Sequence, residues 1–369
     1  MKIAFLGPAT SIHMQRWVGS LSARGHEVHA ISQHPDAIVG AMPGLASVRW
    51  LPGRGTRGYV SNRGALRAAL ESIAPTIVNT HYASGYGLTS ALVHYRPTLL
   101  SVWGSDVFDF PNESWVKGRM LRWNLRRADA IASTSEVMAR QVMRLVPGLP
   151  HEITVTPFGV DTQCFAPTPR RSSDDSITIG TVKSLADKYG IDTLIRAFAV
   201  LRADRELRSR GLSHKLRLLL VGDGPDRASL QRLTIELGVA DATRFVGVVA
   251  HDTVPEWLNR LDVYVAASRM ESFGVAVIEA SACGVPVVVS DAGGLPEVVD
   301  EGRSGFIVER DRPDLLADRL KRLVLDPALR RALGDGGRRL VLERYDWDTC
   351  VDRMLQCYER VIATHRAGK

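Results

Sequence analysis

Short apolar runs alternate with longer amphipathic segments in two successive series along this chain, and that alternation leaves few folds open. The first series has runs at 2–6, 27–31, 76–80, 98–102, 130–133 and 153–156, with helical periodicity over stretches such as 12–23 and 135–145. The second has runs at 177–182, 216–221, 243–246, 263–266, 286–290 and 305–308, again with helical segments between them. Further helical stretches follow at 314–325, 327–343 and 347–365. Strand–helix alternation of this kind predicts an α/β fold with two parallel sheets, each covered on both faces. Between the series, residues 166–175 are rich in Pro, Ser and charge, as an exposed linker should be. The expected organisation is a first domain over 1–165, a linker over 166–176, a second domain over 177–346 and a closing helical segment over 347–369. Ligands of open parallel sheets bind beyond the carboxyl ends of the strands, so with two such sheets the natural site is a cleft between domains.

Composition narrows the class of partner. The 369 residues are 45% hydrophobic and 24% charged, enough for two separate cores. No apolar run approaches the ~20 residues that a membrane span needs. The opening Met1-Lys2-Ile3-Ala4-Phe5-Leu6-Gly7 reads as a first strand ending in a glycine turn, not as a targeting segment. The four cysteines, Cys164, Cys283, Cys350 and Cys357, show no ligand spacing, which predicts a reduced, cytoplasmic protein without structural metal. A formal charge of +7 fits an anionic partner: nucleic acid, an acidic membrane face or a phosphorylated substrate. Basic and acidic residues are mostly interleaved, which makes nucleic acid the weakest of the three. The densest basic cluster is Lys117, Arg119, Arg122, Arg126 and Arg127, with Trp115 and Trp123 among them. On a helix it reads either as a membrane-surface face or, more commonly, as a solvated flank.

The segment Glu271-Ser272-Phe273-Gly274-Val275-Ala276-Val277-Ile278-Glu279-Ala280 carries the most chemistry. If a helix begins near Gly274, the two carboxylates lie roughly 8–10 Å apart along its axis at ~1.5 Å rise per residue, too far for a paired acid/base dyad. Two acceptors so spaced, with helix-end N–H groups between them, suit one elongated ligand with hydroxyls at its ends and an anion in its middle. A nucleotide sugar, with its ribose diol, pyrophosphate and hexose, has that layout. An amphipathic helix with one solvated Glu explains the same residues equally well. Lys183 and Lys188 flank a loop after the run 177–182, where two ammonium groups would neutralise a departing diphosphate; solvated loop lysines are the alternative. Gly222-Asp223-Gly224-Pro225 lets a ligand approach the backbone but is not the dinucleotide fingerprint, since Arg227 stands where a glycine is required. Gly293-Gly294 reads as an anion cradle or as a tight strand-to-helix turn.

As an ordered set, Gly222-Asp223-Gly224-Pro225, Glu271-x7-Glu279, Pro286-Val287-Val288, Gly293-Gly294-x-Pro296-Glu297 and Gly302-x-x-Gly305 resemble family 4 of the retaining glycosyltransferases. The likeness extends from Gly25-His26-Glu27-Val28 to the stretch from Trp347 through Tyr358. It implies the GT-B arrangement of two Rossmann-like domains, the first binding acceptor and the second the nucleotide sugar. It also implies metal-independent transfer of a hexose or N-acetylhexosamine, with retained configuration, from a UDP-sugar or a GDP-sugar to a saccharide hydroxyl, with no cofactor. By the same resemblance Glu279 holds the ribose, Glu271 contacts the donor sugar, and the backbone around Phe273, Gly274 and Val275 faces the donor. The turn around Val249 receives the base, Gly222 belongs to the donor loops, Gly7 closes on the phosphates, and the last helix packs back on the first domain.

Two departures from that pattern stand out. Ser184 and Tyr189 occupy the places of the usual Arg and Lys of the phosphate loop, leaving Lys183 and Lys188, each one position earlier, to substitute. In the first domain Trp103-Gly104-Ser105-Asp106 stands where a His-Gly-Ser/Thr-Asp run is common. Trp103 reads as a sugar-stacking ring or a core residue, and Asp106 as a catalytic acceptor from a substrate hydroxyl or a helix cap. His13 and His81 are further acceptor-side candidates, with a surface histidine and a structural turn as their alternatives. Asp346-Trp347-Asp348 has the form of a metal-binding DxD, but capping of the last helix explains it better. A basic, Trp-bearing first domain points to a lipid-linked or cell-envelope acceptor met by a cytoplasmic protein at the inner face of the membrane. Alternatives of the same architecture are a GDP-mannose-dependent mannosyltransferase, an epimerase or a phosphorylase; a non-enzymatic, membrane-attached nucleotide binder is the remaining reading.

Overall fold

The computed structural model describes residues 1–34, 42–150, 153–169 and 176–368; residues 170–175 of the expected linker lie outside this set. The chain forms two compact units, Met1–Pro157 with Cys350–Lys369, and Phe158–Thr349.

The first unit is built on a seven-stranded sheet in the order β3-β2-β1-β4-β5-β6-β7. Its strands are β1 (Lys2–Leu6), β2 (Glu27–Ser32), β3 (Ser47–Trp50), β4 (Ile77–His81), β5 (Thr98–Val102), β6 (Ala130–Ser133) and β7 (Ile153–Val155), and every pairing is parallel. β3 escapes a hydrophobicity reading because it is an edge strand, Ser-Val-Arg-Trp, with no fully buried residue. The strands between the two edges, β2, β1, β4, β5 and β6, are nearly continuous buried runs, as sheets covered on both faces require. On one face of this sheet Leu66, Leu70 and Tyr86 pack in one cluster and Leu121, Leu125 and Met138 in a neighbouring one. Residues 350–369 complete this unit. Asn79 on β4 donates to the buried Tyr358 hydroxyl at 2.7 Å and accepts from Ser101 at 2.8 Å, and Arg24 pairs with Asp352.

The second unit holds a six-stranded parallel sheet in the order β10-β9-β8-β11-β12-β13. Its strands are β8 (Ile177–Val182), β9 (Leu216–Val221), β10 (Thr243–Gly247), β11 (Val263–Ala266), β12 (Val287–Ser290) and β13 (Gly305–Val308). The helix Ile191–Ala203 shows why the sequence folds this way: Ile191, Leu194, Ile195, Phe198 and Leu201 recur at helical spacing and are all buried on the sheet.

In each sheet the strand order reverses once, between β1 and β4 in the first and between β8 and β11 in the second. Loops leaving the carboxyl ends on either side of such a reversal diverge and open a crevice. In the first unit those loops carry Gly7 and Tyr82, and in the second they carry Lys183 and Glu271.

Candidate functional site

Lys183 directly follows β8 and Glu271 lies in the loop after β11, so the reversal of the second sheet brings them together. The Lys183 ammonium donates to the Glu271 carboxylate at 2.7 Å, the side chains being 21% and 13% exposed. Burial works against the Lys183 charge, but Glu271, Tyr264 and Tyr189 outweigh it and hold the lysine above its ordinary pKa. Tyr189 lies beneath both ammonium groups, with Lys183 Nζ 4.5 Å and Lys188 Nζ 5.0 Å from its ring centre. Tyr264 forms the floor, its hydroxyl pushed up to about 12 by burial. Thr181, Lys183, Tyr189, Tyr264, Glu271 and Gly274 line a small recess.

The helix Val275–Ala282 starts beside this recess. Gly274 caps it at φ 111°, a conformation that L side chains rarely adopt, and an added Cβ would lie 3.0 Å from Leu295. Glu279 is buried on this helix. Phe273 turns its ring into packing, 6.3 Å from Phe158 and 5.8 Å from Tyr345. Val275 and Val249 are half-buried, the latter in the turn after β10.

Arg269 holds the two loops in place. Its guanidinium donates to both Asp192 oxygens at 2.9 and 2.8 Å, to Asp311 at 2.7 Å and to the Asp187 carbonyl at 2.7 Å. Its own N–H and that of Met270 donate to the Lys188 carbonyl at 2.8 and 3.1 Å. The loop bearing Lys188 is thereby tied to the loop bearing Glu271. Glycines permit the close approach: at Gly222, φ 129°, a Cβ would strike the Lys183 carbonyl, and at Gly293 it would strike the Glu271 carbonyl. The Gly294 N–H donates to that same Glu271 carbonyl at 3.0 Å. Of the two readings of Gly293-Gly294, the geometry matches the tight turn, and Gly222 likewise packs on the lysine loop.

At the reversal of the first sheet, His81 is 1% exposed, between Phe5 (ring centres 5.1 Å apart) and Trp103 (4.3 Å). Neither ring nitrogen has a hydrogen-bond partner, and burial, with a smaller contribution from His13, lowers its pKa to about 3. His81 is therefore a buried neutral ring. The His13 and Tyr82 rings lie 5.6 and 4.9 Å from that of Trp103, so Trp103 is the centre of an aromatic cluster. Gly7 fits against this cluster, where a Cβ would lie 3.0 Å from that of His81. Asp106 lies in the short helix Ser105–Phe108. It is buried, and its carboxylate accepts from the backbone N–H groups of Ala83, Trp103 and Gly104 at 2.8, 3.1 and 2.9 Å. Burial raises its pKa despite those bonds. It braces the loops after β4 and β5.

Asp346 caps the last helix, accepting from Asp348 N–H at 3.1 Å, as read from the sequence. No group of three or more His, Cys, Asp or Glu among the described residues is placed to hold a metal ion. No described helix is long and apolar enough to cross a membrane.

Two family models match the chain: glycosyl transferases group 1 over residues 167–340, and glycosyl transferase 4-like over residues 2–135. The chain belongs to the glycosyl transferases group 1 family. Among curated relatives of this family member, the D-inositol 3-phosphate glycosyltransferase of Saccharomonospora viridis is 32% identical over 252 residues, 65% of this chain and 57% of that protein. The phosphatidylinositol N-acetylglucosaminyltransferase gpi3 subunit of Schizosaccharomyces pombe is 25% identical over 77% of this chain and 61% of its own length. The matches thus span little more than half of these relatives. In fold, sucrose-phosphate synthase from Thermosynechococcus elongatus superposes with a TM-score of 0.82 at 21% identity, covering 98% of this chain and 99% of that one. Anabaena Alr3699/HepE, solved in complex with UDP, gives 0.81 at 17% identity, covering 98% and 100%. The fold of this transferase-family chain is GT-B.

Sequence reasoning named Lys183, Lys188, Glu271 and Glu279 but missed Arg269 and the stacking role of Tyr189. Arg269 gives no local signal, because its carboxylate partners lie 82, 77 and 42 residues away.

Proposed function

We propose that this chain is a metal-independent retaining glycosyltransferase whose second unit binds a nucleoside-diphosphate sugar. The observation that carries this reading is the Lys183–Glu271 pair at 2.7 Å beside the start of the helix Val275–Ala282. It sets a charge-stabilising cation, a hydroxyl acceptor and helix-end N–H groups around one recess. On transfer, the bond from the sugar C1 to the β-phosphate oxygen breaks while an acceptor hydroxyl oxygen bonds to C1 on the same face. The hydroxyl proton passes to the departing diphosphate. Lys183, Lys188 and the N–H groups around Gly274 and Val275 stabilise the negative charge that gathers on the diphosphate, each good donor contributing ~3–4 kcal/mol. Glu271 orients the sugar and Glu279 the ribose diol.

UDP is the favoured nucleotide, in line with the UDP bound by Alr3699/HepE. The sugar is a hexose or N-acetylhexosamine, and the acceptor is a saccharide or polyol hydroxyl, lipid-linked in a cell-envelope glycan, recognised by the first unit. The inositol-based acceptors in the names of two relatives support a polyol hydroxyl.

A panel of UDP- and GDP-sugars screened by thermal shift identifies the donor, and product analysis with and without a saccharide acceptor identifies the reaction. Transfer dependent on acceptor is the expected result. Conversion of the donor alone into an epimer, or consumption of inorganic phosphate without nucleotide, overturns the reading. Glu279→Ala is expected to weaken donor binding by ~1.5–3 kcal/mol with a smaller change in kcat.

A further inference from the structure

The helix Trp115–Arg127 buries Gly118, Leu121, Asn124 and Leu125 and turns three large apolar side chains outward. Trp115 is 72% exposed, Val116 65% and Trp123 40%. Isolated apolar side chains on a surface are ordinary, but three on one helix face among cations are not. The Arg119 guanidinium lies 5.1 Å from the Trp115 ring and that of Arg127 5.8 Å from the Trp123 ring. Arg126 is exposed beside them, and Glu113, the sole acid of residues 113–127, is already paired with Lys117. The face therefore offers indole rings and unneutralised guanidinium groups together. Indole rings favour the boundary between headgroups and acyl chains, and guanidinium groups bind lipid phosphates at the same depth.

We propose that this face docks the first unit onto an anionic lipid bilayer. Charge complementarity selects the anionic surface, and the outward Trp115, Val116 and Trp123 select a bilayer over a nucleic acid. The helix is also tied to the loop after β4. Asn124 donates to the Ala83 and Ser84 carbonyls at 2.8 and 3.0 Å, and the Ala83 N–H donates to Asp106. Docking through this helix holds the Trp103 and Tyr82 cluster at a set height above the lipid headgroups, where a lipid-linked acceptor presents its hydroxyl. The nature of that acceptor rests on the function proposed above; the docking itself does not.

The test is cosedimentation of the full chain with phosphatidylcholine vesicles, with and without phosphatidylglycerol, at physiological salt and without any nucleotide sugar. Binding to the anionic vesicles is expected to exceed binding to the neutral ones by about tenfold or more. The pair Trp115→Ser and Trp123→Ser should abolish most of it, together with the blue shift of tryptophan emission. The pair Arg119→Glu and Arg126→Glu should remove the preference for anionic lipid. The pair Arg63→Glu and Arg67→Glu, an equal charge change on another helix of the same unit, should leave the preference intact, and circular dichroism confirms that each variant is folded. Equal partitioning to both vesicle types overturns the proposal, as does an effect of the Arg63→Glu and Arg67→Glu pair as large as that of the Arg119→Glu and Arg126→Glu pair. Binding of an RNA oligonucleotide through this helix without vesicle binding also overturns it. Loss of transferase activity with vesicle binding intact would count against the proposed function alone.

Discussion

Lys183 and Glu271, 88 residues apart in the chain, share an ion pair of 2.7 Å at the reversal point of the second sheet. Each is the other's main neutralising partner, so removing one leaves a part-buried charge behind. Lys183→Met is expected to lower kcat/KM by ~10²–10³, the loss of one preorganised donor to the departing diphosphate. Glu271→Gln should lower kcat more than donor affinity. A double-mutant cycle on thermal or urea unfolding should return a coupling of ~1–2 kcal/mol. Additive effects on both turnover and stability would sink this assignment.

Tyr189 underlies both Lys183 and Lys188, at 4.5 and 5.0 Å from its ring centre. The ring face, not the hydroxyl, attracts the ammonium groups, each contact being worth ~0.5–2 kcal/mol. Tyr189→Phe should therefore retain donor affinity and turnover, while Tyr189→Leu should lose about tenfold in kcat/KM. Steady-state kinetics on the two variants decide it; equal losses point instead to the hydroxyl.

Arg269 clamps Asp187, Asp192 and Asp311 and, through backbone N–H groups, the Lys188 carbonyl. Arg269→Met should loosen the Lys188 loop, raising the donor KM about tenfold while kcat changes less. It should destabilise the fold by ~1–2 kcal/mol, a figure discounted for partial exposure. The sign of the pH effect follows from Asp192. Burial alone would raise its pKa, but the bond and charge of Arg269 outweigh burial and hold it below the ordinary 3.8. That contribution is present above the unfolded value and is lost as pH falls through the lowered folded value. The stability gap between the native chain and Arg269→Met should then be full near neutrality and close in strong acid. A gap that persists in strong acid would contradict the pairing.

His81 has the opposite chemistry and the same direction of pH effect. Its folded pKa is lowered from 6.5 to about 3 by burial, with His13 adding to the shift. Above the unfolded value the ring is neutral in both states and adds no pH dependence. Between pH 6.5 and about 3 the unfolded chain takes up a proton that the folded chain refuses, so stability falls by about 1.4 kcal/mol per pH unit. His81→Leu lacks this loss, so its stability relative to the native chain should rise as pH falls across that window. Urea midpoints measured through the window check it; parallel curves would refute the assignment.

What could be read from the sequence was whatever depends on near neighbours. The central strands announced themselves as apolar runs because both faces are covered, and β3 did not because Arg49 and Trp50 lie at an exposed edge. Capping by Asp346 was legible from two residues of local pattern. Gly274 was readable as a bare helix start, since a left-handed cap demands glycine. The partners of Arg269 and the bracing by Asp106 were not legible, because both depend on which loops the sheet order brings side by side. Trp103 and His81 were readable as aromatic residues after strands, but not as stacked on each other, for the same reason.

The last turns of the chain have a consequence for how the protein is made. Tyr358, wholly enclosed, accepts from Asn79 on a central strand of the first unit, and residues 350–369 belong to that unit. During translation the stretch 158–349 has left the ribosome before the amino-terminal unit has the segment that seals it. The unit synthesised first is therefore the last able to finish folding, and until then its Asn79 waits on an open flank.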